Sequence, residues 1–119
     1  VDQEVSGCPF CAIFADLSVA TTRIVWVSRY DMILEPLDPV TPGHLIVVSG
    51  RHVASFAQDP RLFGSLAETA ASYVRGLSDR GDWNVITSMG PAATQTVEHL
   101  HIHLVPRHLG DGLNLPWGR

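Results

Sequence analysis

The chain has 119 residues, of which 45% are hydrophobic and 17% charged, with a formal net charge of −4. That length forms one domain with one hydrophobic core, and that composition excludes a disordered or fibrous chain. The acidic balance argues against a nucleic-acid backbone as the main partner, although a small anion held by local donors stays allowed. No apolar run approaches the roughly 20 residues of a membrane helix. All eight basic residues are arginine, which by itself points to no function. The opening "VDQEVSGCPF" is acidic and polar and is not expected to act as a signal peptide, so the expected location is cytoplasmic.

The two cysteines, Cys8 and Cys11, fall in "CPFCAIF". In a reducing compartment this C-x-x-C reads as half a zinc site, as a redox pair, or as incidental. A thioredoxin-like reading needs a preceding strand, and "VDQEVSG" is too short and polar to supply one. "CPFCAIFADL" predicts a short helical turn. Residues 22–28 and 30–37 are rich in β-branched and apolar residues and predict two adjacent strands. "DPVTPGH" is a turn, and the almost wholly apolar 44–49 predicts a third, central strand. Asp59 and Pro60 open a helix as N-cap and first position. Leu62, Phe63, Leu66, Ala70, Tyr73, Val74 and Leu77 give it one apolar face, and Gly81 is its predicted stop. Residues 82–88 predict a fourth strand, 89–96 a loop and 97–106 a fifth strand. The expectation is a single α+β domain over 1–119: about five mostly antiparallel strands, one long helix and a short N-terminal helix.

The fifth predicted strand contains "EHLHIHLVPRH". In a strand, alternate residues face opposite ways. Leu100, Ile102 and Leu104 then face the core beneath the helix, and His99, His101 and His103 stand in a row on the other side. Three histidines in phase, in a chain with six, are improbable as a solvated face. Such a row can bind a metal such as zinc. It can also hold an anion, with one imidazole as nucleophile.

"QTVEHLHIHLVPR" resembles the histidine triad (HIT) hydrolases and transferases, whose motif alternates histidine with apolar residues. "CPFCAIF", "TPGHLIVV" and "GRHV" resemble further family segments, and the resemblance covers about residues 8–108, leaving 109–119 as a tail. The loop "GPAATQTV" is close to the Fhit-like branch, while the C-x-x-C and the short length lean toward the small Hint-like bacterial type. The resemblance implies attack on the α-phosphorus of a nucleoside phosphoramidate or dinucleoside polyphosphate. His101 carries over as the nucleophile, which would form a nucleotidyl-His101 intermediate. His103 and His44 would orient it or donate to phosphate oxygens. Gln95 and Thr96 sit where the family contacts phosphate, and Ser88 stands where many members have Asn or Gln. No organic cofactor is implied. In zinc-containing members of this superfamily, including galactose-1-phosphate uridylyltransferases, a C-x-x-C joins two histidines. Here the set would be Cys8, Cys11, His52 and His99, a closed and therefore structural site. His108 has no family role and reads as a surface residue.

One departure concerns the sugar. Family members commonly carry Asp or Asn eight residues before the Pro-Gly-His histidine, and here that residue is Pro36, which has no side-chain acceptor. Asp38 is the nearby candidate for the ribose, and Phe10, Ile13 and Leu37 are candidates for an apolar base cleft. The resemblance also implies a homodimer, with Tyr73 and other helix residues at the interface and Trp117 as a tail contact. Two other readings stay open. One is a nucleotide-binding module without significant catalysis, whose turnover would be insensitive to His101. The other is a triad that itself holds a catalytic metal, in which case removing His101 would release the metal.

Overall fold

The computed structural model describes residues 5–114, so Trp117 lies outside the described residues. The elements in chain order are α1 (Pro9–Ala15), a 3-10 turn (Leu17–Val19), β1 (Ile24–Val27), β2 (Asp31–Leu34), β3 (Leu45–Ser49), α2 (Pro60–Arg75), β4 (Asp82–Ile86), a second 3-10 turn (Pro91–Ala93) and β5 (His101–Arg107). The strands form one sheet in the order β1-β2-β3-β5-β4, and every neighbouring pair is antiparallel. This is the α+β arrangement read from the sequence, with the apolar β3 at its centre.

Local chemistry starts both helices. The Cys8 thiol accepts the Cys11 N–H at the head of α1, and Pro9 fills its first turn. The Asp59 carboxylate accepts the Leu62 N–H at 3.1 Å, with Pro60 as the first residue of α2. The far end of α2 differs from expectation. It closes at Arg75 with Gly76 as its cap, not at Gly81, and Leu77 lies beyond it. Val74 is the last apolar residue in helical phase, and the Gly76 N–H closes the last turn on the Ser72 carbonyl at 3.1 Å. Gly81, at φ +67, belongs instead to the turn into β4.

The strands are shorter than the apolar runs that contain them. β2 stops at Leu34, since Pro36 cannot donate to a ladder. β1 holds four residues and shifts register between Ile24 and Trp26, and β4 ends at Ile86. β5 begins at His101, not at Val97, because the chain turns just before it. His99 N–H bonds back to the Val97 carbonyl, and Leu100 N–H donates to Val53. His99 is thereby released from the ladder. The Pro42-Gly43 turn before β3 is equally specific. His44 N–H donates to the Thr41 carbonyl, Gly43 adopts φ +88, and a Cβ there would lie 3.2 Å from the Pro106 ring.

β2 and β3 are buried on both faces. On one face Ile33, Val47, Leu100, Ile102 and Leu104 pack beneath Leu66 and Ala70 of α2. On the other, Met32, Leu34, Ile46 and Val48 pack against Phe10 of α1. Leu104 is fully buried under α2. We predict that Leu104→Ala lowers unfolding free energy by about 2–5 kcal/mol in a urea titration; a loss below ~1 kcal/mol would mean that this layer does not carry the core.

Candidate functional site

The β3–β5 register sets the histidines. His101 lies opposite Val48 and His103 opposite Ile46, so both project on the α1 face. Their ring centroids are 5.1 Å apart. They enter a cavity of about 710 Å³ whose apolar side includes Phe10, Ile13, Leu34 and Ile46. His44, at the exit of the Pro-Gly turn, joins them there, as do Thr96, Leu37 and Asp38.

Backbone partners settle the tautomers, because a carbonyl only accepts and an amide N–H only donates. His101 Nδ1 lies 2.6 Å from the His99 carbonyl, so Nδ1 carries the proton and donates. In the neutral ring Nε2 then holds the lone pair. Val40 N–H donates to His44 Nδ1 at 3.0 Å, so His44 carries its proton on Nε2. His44 Nε2 lies 3.0 Å from His103 Nδ1 and donates to it. The proton of neutral His103 is therefore on Nε2. Of the two imidazoles of β5, His101 offers a lone pair and His103 an N–H donor.

Burial favours these neutral forms. It pushes His44 down to about 4. It pushes His103 down to about 3, aided by its neighbours His101 and His44. It also lowers His101, against the opposing bond to the His99 carbonyl.

His99 faces elsewhere. Its ring is wholly buried, and its Nε2–H donates to the Ser49 carbonyl at 2.6 Å. That leaves the Nδ1 lone pair directed at Cys8 Sγ (3.3 Å), Cys11 Sγ (3.7 Å) and His52 Nδ1 (3.1 Å). Cys11 Sγ is also 3.3 Å from His52 Nδ1, and all four ligand atoms lie within 4.8 Å of one another. A tetrahedral zinc, with Zn–S of about 2.3 Å and Zn–N of about 2.0–2.1 Å, spaces its ligands roughly 3.3–3.8 Å apart. The donor set suits such an ion: four of its pairs, at 3.1–3.7 Å, are close to that spacing, and the remaining pairs lie within 4.8 Å. A set of two cysteines and two histidines leaves no position for a reacting molecule. This cluster can hold a metal ion separately from the His101 cavity. Cys8 and Cys11 are not joined in a disulfide.

Two of the residues singled out in the sequence stand apart from the cavity lining. Gln95 ties its own loop together: its Oε1 accepts Gly90 N–H, and its Nε2 donates to the Ala54 and Val97 carbonyls. Ser88 lies between β4 and the second 3-10 turn. His108 is exposed, in agreement with its reading as a surface residue. Pro36 lines the cavity, with Leu37 79% exposed at its rim. Three supporting groups carried no sequence signal. The Ser49 carbonyl and the Val40 N–H are backbone atoms, invisible in residue identity. Thr87, whose hydroxyl donates to the His101 carbonyl at 2.8 Å, looks like any strand threonine.

The HIT domain model matches residues 18–110, and the chain belongs to the HIT family. An uncharacterized HIT-like protein of Mycobacterium tuberculosis is 31% identical over 115 residues, covering 93% of this chain and 78% of that protein. A bis(5'-adenosyl)-triphosphatase of Saccharomyces cerevisiae is 26% identical over 101 residues, covering 81% of this chain and 49% of that protein. A zinc-bound histidine triad family protein from Mycobacterium smegmatis has a similar structure. Its TM-score is 0.75 at 28% identity, with 92% of this chain and 81% of that one covered.

The two constellations make separable predictions. Cys8→Ser should lower the zinc content of the purified protein, measured by elemental mass spectrometry, and His101→Ala should leave it unchanged. Zinc lost with His101 would instead place that imidazole among the ligands.

Proposed function

We propose that this protein is a hydrolase or nucleotidyl transferase that cleaves at the α-phosphorus of a nucleoside phosphoramidate or dinucleoside polyphosphate. The observation that carries the reading is the orientation of His101. Its Nδ1–H is held by the His99 carbonyl, and its ring opens on the 710 Å³ cavity. Nε2 attacks phosphorus, and the bond to the leaving group breaks with its electron pair, which takes a proton from solvent. The ring gains positive charge as the N–P bond forms, and the Nδ1–H bond to the carbonyl stabilises it. Water then attacks phosphorus, the N–P bond breaks, and its pair returns to Nε2. The nucleoside monophosphate leaves, and one proton of the water passes to solvent. His103, as an Nε2–H donor held by His44, binds a phosphate oxygen. Thr96 adds a hydroxyl at the same cavity.

In this reading Gln95 acts on the phosphate through the loop that it closes, and Ser88 through the path of β4 into that loop. Leu37, with Phe10 and Ile13, faces the base, and Asp38 supplies the acceptor for ribose hydroxyls that Pro36 lacks. Cys8, Cys11, His52 and His99 hold a structural zinc, which would tie α1 to the sheet. The yeast relative's name supports a dinucleoside polyphosphate substrate, and the C-x-x-C supports the small Hint/Fhit-like bacterial type. A homodimer would use α2 and a free sheet edge; β4 is such an edge, and Val85 on it is 61% exposed. No helix among the described residues is long and apolar enough to cross a membrane. Cysteines held as thiols and not as a disulfide suit the cytoplasm.

The first test is turnover of a fluorogenic adenosine phosphoramidate. The intact protein should turn it over, and His101→Ala should lower kcat/KM by roughly a thousandfold or more. A protein that binds adenosine monophosphate but turns over neither this substrate nor a dinucleoside polyphosphate would be the binding module instead. His44→Ala should cost roughly tenfold to a hundredfold in kcat, since it acts by holding His103. An unchanged kcat would show that the His44–His103 bond is not used.

A further inference from the structure

A second groove, of about 420 Å³, lies on the opposite face of the sheet, between β1 and α2. The β1–β2 register puts Trp26 opposite Ile33, and Ile33 belongs to the layer under α2. Trp26, 43% exposed, and Tyr73 are the groove's aromatic lining, with Ile33 buried beneath. Tyr73 is thus assigned to this groove and not to a dimer contact, and β1 lies at the opposite end of the sheet from the β4 edge. Ser65, Glu68, Thr69 and Ser72 recur along one flank of α2 and form its wall.

That wall carries three hydroxyls and one carboxylate, that of Glu68. The Thr69 hydroxyl gives its proton to Asp31 Oδ2 at 2.6 Å, so its lone pairs are left for a ligand. Asp31 is only 6% exposed, and its other oxygen accepts the Ser28 hydroxyl at 2.8 Å. Glu68 is exposed beside Thr69. Neither carboxylate has an ion-pair partner among the described residues. A buried carboxylate held by hydroxyls alone lies one hydrogen bond behind the wall. A positive group in the groove would answer both charges.

We propose that this groove binds a small alkylguanidinium compound, at a site separate from the His101 cavity. A guanidinium is a planar cation with five N–H donors, and it stacks on aromatic faces. Those properties match Trp26 and Tyr73 together with the Glu68 carboxylate and the hydroxyls of α2. The alkyl part rests on the apolar side of the groove.

The test is a titration of the full chain, labelled with nitrogen-15, with butylguanidinium, and with butylurea as its neutral counterpart. Butylguanidinium should produce a saturable shift of the Trp26 indole and the Thr69 amide. Butylurea should produce none. Glu68→Gln, an exposed substitution, should weaken the affinity roughly threefold to tenfold, and Trp26→Ala, followed at Thr69, by a similar factor. Absence of a saturable shift, equal binding of butylurea, or unchanged affinity in Glu68→Gln would each overturn the proposal. So would shifts confined to His44, His101 and His103.

Discussion

The carbonyl of His99 accepts the Nδ1–H of His101 at 2.6 Å, and this bond orients the candidate nucleophile. The same residue turns its side chain the other way, with Nε2–H on the Ser49 carbonyl and Nδ1 on the Cys8, Cys11 and His52 cluster. One residue therefore links the two constellations. Anything that fixes the His99 ring also fixes the carbonyl that orients His101. A metal in the cluster would stiffen this arrangement without touching the cavity. Phe10 closes the gap, with its ring edge-on to both His99 and His101 at centroid distances of 5.5 and 5.2 Å.

The sheet makes this economy possible. Strand alternation sends Ile102 and Leu104 beneath α2 and sends His101 and His103 toward α1. A slip of one residue in the β3–β5 pairing would exchange the two sets and bury imidazoles under the helix. Core packing on the α2 face therefore maintains the register that the chemistry on the other face requires. Burial then holds His44 and His103 neutral near pH 7, so the hydrogen-bond chain from Val40 through His44 to His103 keeps one direction.

Much of this was legible in the sequence, for identifiable reasons. The two helix starts follow from short-range capping, the central β3 from an unbroken apolar run, and the separation of His101 and His103 from Ile102 and Leu104 from period two. His99, expected in the same row, lies before the strand and faces the cysteines. The metal-capable set was named from a resemblance, and the fold brings its four members together. Element ends were less legible. The α2 stop depended on which of two glycines lay first beyond the apolar phase. The start of β5 depended on Val53, far away in the chain, capturing Leu100. The roles of Ser49 and Val40 were hidden because backbone atoms perform them. Gln95 shows a related limit. Its position in the motif was readable, but the three backbone groups that occupy its amide were not.

The central claim is a tautomer pattern, and nitrogen-15 NMR of the imidazole rings reads it directly. In the intact protein near pH 7, His101 should be neutral with its proton on Nδ1. His44 and His103 should be neutral with theirs on Nε2. A His101 ring protonated on Nε2, or charged, would contradict the account, because the lone pair it assigns to attack on phosphorus would not be there.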